Sequence, residues 1–111
     1  MNILILGATG FIGSAVAQRL LADGHSITGL ARNPEKARNR QPHIRWVEGD
    51  LRNFTAPSSW LPLLSGIEVV VNCAGALQDT MRDDVSAVQQ DAMLALFEAA
   101  STFANIRIIQ I

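Results

Sequence analysis

Gly7, Gly10 and Gly13, spaced by three in the segment Gly7-Ala8-Thr9-Gly10-Phe11-Ile12-Gly13, stand between an apolar run and a helical pattern. Asn2 to Leu6 is apolar and β-rich without alternation, which is the composition of a parallel strand buried on both faces. From Phe11 to Asp23, apolar residues at Phe11, Ile12, Ala15, Val16, Leu20 and Leu21 follow the helical period, and Gly24 supplies the stop. A strand that enters a glycine turn and leaves it as a helix carries free N–H groups to the strand's carboxyl end. In such a turn Gly7 permits the tight exit from the strand, Gly10 keeps a Cβ out of a ligand's path, and Gly13 lets the helix lie close on the sheet. The free N–H groups and the helix dipole favour an anion, and a dinucleotide pyrophosphate is the anion that suits this spacing. The same glycines would serve a turn that binds nothing, so the rest of the chain has to decide.

It alternates. Ser26 to Ala31 reads as a second strand, Asn33-Pro34 opens a short polar helix, and Ile44 to Glu48 is a third strand before the Gly49-Asp50 turn. Pro57 to Leu64 is a weak helix interrupted by Pro62 and ended at Gly66, and Glu68 to Asn72 holds the Val-Val-Val run of a buried fourth strand. Asp84 to Phe103 carries a helical stripe of Val85, Val88, Ala92, Leu96, Ala99 and Phe103, and Ile106 to Ile111 has the composition of a fifth strand. Short connections and right-handed crossovers then predict an α/β fold. It is a doubly wound parallel sheet, Rossmann-type and three-layered, with strand order 3-2-1-4-5 and a ligand crevice between strands 1 and 4. With 111 residues, 49% of them hydrophobic and 17% charged, and no linker-like stretch, the chain is expected to form one domain over residues 1–111.

The formal net charge is −1, with nine basic and ten acidic residues spread along the chain. No basic run is available to neutralise a nucleic-acid backbone or to sit on an anionic membrane. Met1 to Leu6 lacks the basic flank of a signal peptide, and no segment reaches the roughly 18 apolar residues of a membrane span, so a cytoplasmic protein is expected. The single cysteine, Cys73, cannot form an internal disulfide, and with His25 and His43 isolated no metal site is expected.

The residues after strand 2 are Leu30-Ala31-Arg32-Asn33. An acidic residue there would hold the ribose hydroxyls of NAD, whereas an arginine accommodates the 2′-phosphate of NADP. No carboxylate stands at that place, and the Arg32 guanidinium offers a planar donor set to phosphate while its face can stack on adenine. NADP is therefore expected over NAD. Lys36 reads as a solvated lysine on the short helix.

Four segments in order, GATGFIG at 7–13, Ala31-Arg32-Asn33-Pro34, Gly49-Asp50-Leu51 and Asn72-Cys73-Ala74-Gly75, resemble the extended and atypical short-chain dehydrogenase/reductase superfamily. The resemblance implies a cofactor site made of Gly7, Thr9, Gly10, Phe11, Ile12 and Gly13 at the pyrophosphate and Arg32 and Asn33 at the adenosine phosphate. It also implies Asp50 and Leu51 at the adenine, and Ala74 and Gly75 at the nicotinamide-side ribose. Cys73 reads as a small core residue, since no basic partner is evident nearby.

Active members of that superfamily use a serine beyond strand 5 and then a Tyr-x-x-x-Lys pair. This chain has no tyrosine, and its only lysine is Lys36, so no catalytic residue is assigned. Gln89 stands where many relatives carry an asparagine on the fourth helix. The expectation is the N-terminal cofactor domain of a longer oxidoreductase or epimerase. The alternative is a non-catalytic dinucleotide sensor or assembly subunit, similar to NmrA-like regulators and the Rossmann subunits of respiratory complex I. The apolar strand from Ile106 to Ile111 would form a sheet edge through which copies self-associate.

Overall fold

The computed structural model describes residues 1–74 and 83–111. In chain order the elements are β1 (Asn2–Leu6), α1 (Phe11–Ala22), β2 (Ser26–Ala31), α2 (Pro34–Arg40) and β3 (Arg45–Glu48). A 3-10 turn (Leu51–Asn53), α3 (Pro57–Leu64), β4 (Val69–Asn72), α4 (Asp83–Ala100) and β5 (Arg107–Gln110) follow. The strands form one parallel sheet in the order β3-β2-β1-β4-β5, as the alternation predicts.

The unbroken apolar run of β1 has its explanation in the two faces of the sheet. Ile3 and Ile5 join Ile27, Val69 and Val71 in a core closed by Ile12 and Val16 of α1, while Leu4 and Leu6 join Val70 in a second core closed by α3 and α4. Neighbouring side chains on a strand point to opposite faces, so a central strand covered on both sides needs apolar residues at every position. Each core holds one tryptophan. Trp46 lies over Gly29 of the adjacent strand, where an added Cβ would stand 2.6 Å from the ring, and its indole N–H donates to the Gln41 carbonyl at 3.0 Å. Trp60 is fully buried, and its N–H donates to the Phe54 carbonyl at 2.9 Å.

Several element ends differ from the sequence pattern. The fourth helix stops at Ala100 and not at Phe103, because the Ser101 and Thr102 hydroxyls donate to the Glu98 and Ala99 carbonyls while the backbone tightens into turns. Phe103, placed by periodicity on the helical stripe, lies beyond the helix and still packs on the second core. Val85 and Val88 of that stripe fall where side chains lie outside the described residues. Pro62 does not break α3, which runs from Pro57 through to Leu64. At the β5 edge, Ile109 and Ile111 are 48% and 56% exposed. No helix among the described residues is long and apolar enough to cross a membrane.

Candidate functional site

Four neighbouring parallel strands end on one side of the sheet, and the loops that leave β1, β2, β3 and β4 gather along that edge. The register sets Leu6 beside Asn72, so the first glycine loop and the loop after β4 start as neighbours. Gly7 has φ +77, in the left-handed region, and a Cβ there would stand 2.7 Å from the Ala74 amide nitrogen. Its carbonyl accepts from the Gly10 N–H at 3.0 Å and lies so close on α1 that a Cβ at Gly13 would overlap it. These are two separate reasons for glycine, one conformational and one of space.

Gly10 caps α1 with no side-chain bond to the helix. The Ser14 N–H reaches back to the Gly10 carbonyl, but the N–H groups of Phe11, Ile12 and Gly13 donate to no acceptor among the described residues. Three unspent donors at the positive end of a 12-residue helix, beside backbone that a Cβ would foul, suit a pyrophosphate. The Phe11 ring is 83% exposed, and Ile12 points the other way and packs on the first core. Thr9 is exposed on the loop.

At the end of β2, Arg32 is exposed. Asn33 caps α2, its side-chain oxygen accepting from the Lys36 N–H at 3.1 Å, so that oxygen is already spent on the backbone. Across from it, Asp50 opens the 3-10 turn by accepting from the Arg52 N–H at 3.0 Å. The Arg52 guanidinium closes on the same carboxylate, with Nη2 to Oδ2 at 2.7 Å and Nε to Oδ2 at 3.0 Å. The side-chain and backbone hydrogen bonds from Arg52 hold the Asp50 carboxyl down at about 2, and the charge of Arg32 adds to the effect, so Arg32 and Asp50 share one neighbourhood. Arg52 lies outside the motifs that the sequence offers for this site. A lowered carboxyl pKa means that the pairing is complete above the ordinary value of 3.8 and is lost as pH falls through about 2. Carboxyl NMR titration should therefore give Asp50 a midpoint near 2, which Arg52→Ala returns towards 3.8; an unmoved midpoint in the variant would refute the pairing.

The loop after β4 is held by a residue that sequence reasoning did not single out. Asn72 is 3% exposed, accepts from the Ala74 N–H at 3.0 Å through Oδ1, and donates through Nδ2 to the Met93 sulfur of α4 at 3.1 Å. An amide ending a buried Val-Val-Val run was the available signal, because a buried polar group needs partners. Leu51 packs on the second core, and Ala74 is half-buried beside Gly7. Gly75 lies outside the described residues. Cys73 is 5% exposed, and burial pushes its thiol pKa up. It should resist an aromatic disulfide reagent in the folded protein and react once denaturant is added; fast labelling of the native protein would contradict that.

Parallel strands in this order, with a glycine turn between β1 and α1 and unspent N–H groups above it, define a Rossmann-type dinucleotide-binding domain. The chain belongs to the NAD dependent epimerase/dehydratase family, whose model matches residues 3–111. That places it in the superfamily its motifs resemble. It is 39% identical over 75 residues to an epimerase family protein SDR39U1 homolog, chloroplastic, of Arabidopsis thaliana, covering 68% of this chain and 21% of that protein. It is 32% identical over 108 residues to the photosystem II assembly factor Ycf39 of Trieres chinensis, covering 96% of this chain and 32% of that protein. The UDP-glucose 4-epimerase of Thermotoga maritima has the same fold, with a TM-score of 0.77 at 21% identity over 99% of this chain and 37% of that one. The chain thus spans between a fifth and a third of the length of these curated relatives.

Proposed function

We propose that residues 1–111 form the NADP(H)-binding domain of a short-chain-dehydrogenase-type oxidoreductase or epimerase. Arg32 carries the choice of NADP. It stands exposed at the carboxyl end of β2, with no carboxylate in Leu30-Ala31-Arg32-Asn33 to pair with ribose hydroxyls. In this reading the N–H groups of Phe11, Ile12 and Gly13 bind the pyrophosphate over Gly7, Thr9 and Gly10, and Arg32 and Asn33 take the adenosine phosphate. Asp50 and Leu51 flank the adenine, and Ala74 and Gly75 meet the nicotinamide-side ribose. Bound there, the nicotinamide would supply hydride exchange.

Calorimetry should find NADPH bound more tightly than NADH, with Arg32→Ala narrowing the gap by about 1–3 kcal/mol, the cost of losing a charge-assisted hydrogen bond. Equal affinities in the unmutated protein would remove the assignment. Since these residues contain no tyrosine and only Lys36 as lysine, they supply binding, and acid/base groups for turnover would come from elsewhere in the protein. The match to an assembly factor across 96% of the chain favours a second reading, a dinucleotide-binding subunit without turnover. Hydride transfer by the whole protein would decide for the first, and its absence with NADPH bound for the second.

A further inference from the structure

The carboxyl end of β4 is tied to α4 through a sulfur atom. Asn72, 3% exposed and paired in register with Leu6 of β1, has both ends of its amide spent. Its Oδ1 accepts from the Ala74 N–H at 3.0 Å, which fixes the amide's orientation and leaves Nδ2 to donate to the Met93 sulfur at 3.1 Å. That thioether is the one acceptor Nδ2 meets among the described residues, and a thioether accepts weakly. On the other side the Ala74 nitrogen stands 2.7 Å from where a Cβ on Gly7 would be, so three contacts in series run from α4 to the glycine turn. Met93 is half-buried, packed against the second core but not sealed from solvent. Its sulfur is the atom in this series that ordinary solution chemistry can change and change back.

We propose that Met93 is a site of reversible oxidation, through which hydrogen peroxide loosens the loop after β4 and weakens dinucleotide binding. A lone pair on the sulfur attacks one peroxide oxygen, and the S–O bond forms as the O–O bond breaks. The departing hydroxide takes the proton left on the new S–OH group and is released as water. Sulfur loses two electrons and the peroxide gains them. The product is a polar, chiral sulfoxide. An oxygen turned toward Asn72 accepts strongly but needs room that a 3.1 Å contact does not leave, so the amide is pushed back. An oxygen turned away leaves an electron-poor sulfur that no longer accepts from Nδ2, and the buried amide loses its partner. Asn72 shifts in either case, and the Ala74 N–H that its Oδ1 holds shifts with it against Gly7, which has no room to spare. The effect on affinity rests on the dinucleotide reading of this site; the displacement of Ala74 does not.

The protein is treated with hydrogen peroxide while peptide mass spectrometry follows Met93 and NMR follows the Asn72 side-chain amide and the Ala74 N–H, and NADPH and NADH affinities are measured by calorimetry before and after. Met93 sulfoxide should form in the folded protein, shift both signals and weaken binding about fivefold, the worth of one hydrogen bond. The two methionine sulfoxide reductases together, one for each epimer, should reverse all of these. In Met93→Leu, which keeps the volume but cannot be oxidised, peroxide should move neither the Ala74 signal nor the affinity, although Met1, Met81 and Cys73 remain. Met93 left intact while Met1 is converted, an Ala74 signal or an affinity indifferent to Met93 sulfoxide, or a Leu variant as sensitive as the native protein would overturn the proposal. Should the Leu variant not fold, the reductases carry the same test on the native protein, where signals still shifted after Met93 is reduced count against it. If the untreated protein binds neither dinucleotide, the reading of the site falls, and the Ala74 signal alone decides whether Met93 controls the loop.

Discussion

Gly13→Ala should cost the domain its dinucleotide and part of its stability together. The new methyl group would overlap the Gly7 carbonyl, which is backbone on a turn that cannot move aside cheaply, since Gly7 is itself hemmed in by the Ala74 amide. Either α1 lifts from the sheet or the loop shifts, and both displace the unspent N–H groups of its first turn. Overpacking of this kind costs about 1–3 kcal/mol, and displaced phosphate donors should lower dinucleotide affinity by well over tenfold. Calorimetry and thermal unfolding on the same preparation read the two effects. A variant with unchanged affinity and unchanged Tm would mean that the contact between Gly13 and Gly7 does not constrain the helix.

Trp60→Ala should give the largest loss of stability of any single substitution in the second core, about 3–5 kcal/mol for deleting a large buried aromatic. Trp60 is fully buried in α3, and its ring centroid lies 4.9 Å from that of Phe54 at a tilt of 59°. Its N–H satisfies the Phe54 carbonyl, just after the turn that Asp50 opens, so the substitution also loosens the loop that carries Asp50 and Leu51. Trp60→Phe separates these roles, because it keeps much of the burial but removes the donor, and it should cost about 1–3 kcal/mol. Urea unfolding of the two variants measures both; a Trp60→Ala protein within 1 kcal/mol of wild type, on the scale of a surface substitution, would contradict the packing described.

The elements with strong local signals were legible in the sequence. The bounds of β1 and β2 coincide with their apolar runs, Gly24 at φ +90 closes α1 after its cap, and Asn33 caps α2 as Asn-Pro suggests. Strand order followed from alternation and handedness. What stayed hidden depends on residues distant in sequence or on competition at an element's end. Asn72 meets Met93 only because α4 packs behind β4, and Gln18 meets Gln41 only because α1 and α2 share a face of the sheet. The hydroxyls of Ser101 and Thr102 end α4 although the apolar period continues to Phe103. At the candidate site the glycine spacing was readable, but the Arg52 clamp on Asp50 and the local use of the Asn33 oxygen were not. Both are side-chain geometry, which no periodicity records.

The sheet is one residue thick, and it keeps the two cores apart. Trp46 and its neighbours answer to α1 and α2, Trp60 and its neighbours to α3 and α4, and among the described residues no buried side chain belongs to both. Defects on opposite faces therefore act as nearly independent quantities, while those within a face couple through shared contacts. The two faces can consequently diverge at their own pace. A lineage is free to rebuild most of the α3 and α4 layer by itself, and only the contact that Asn72 sets up between Ala74 and Gly7 ties that layer to the glycine turn.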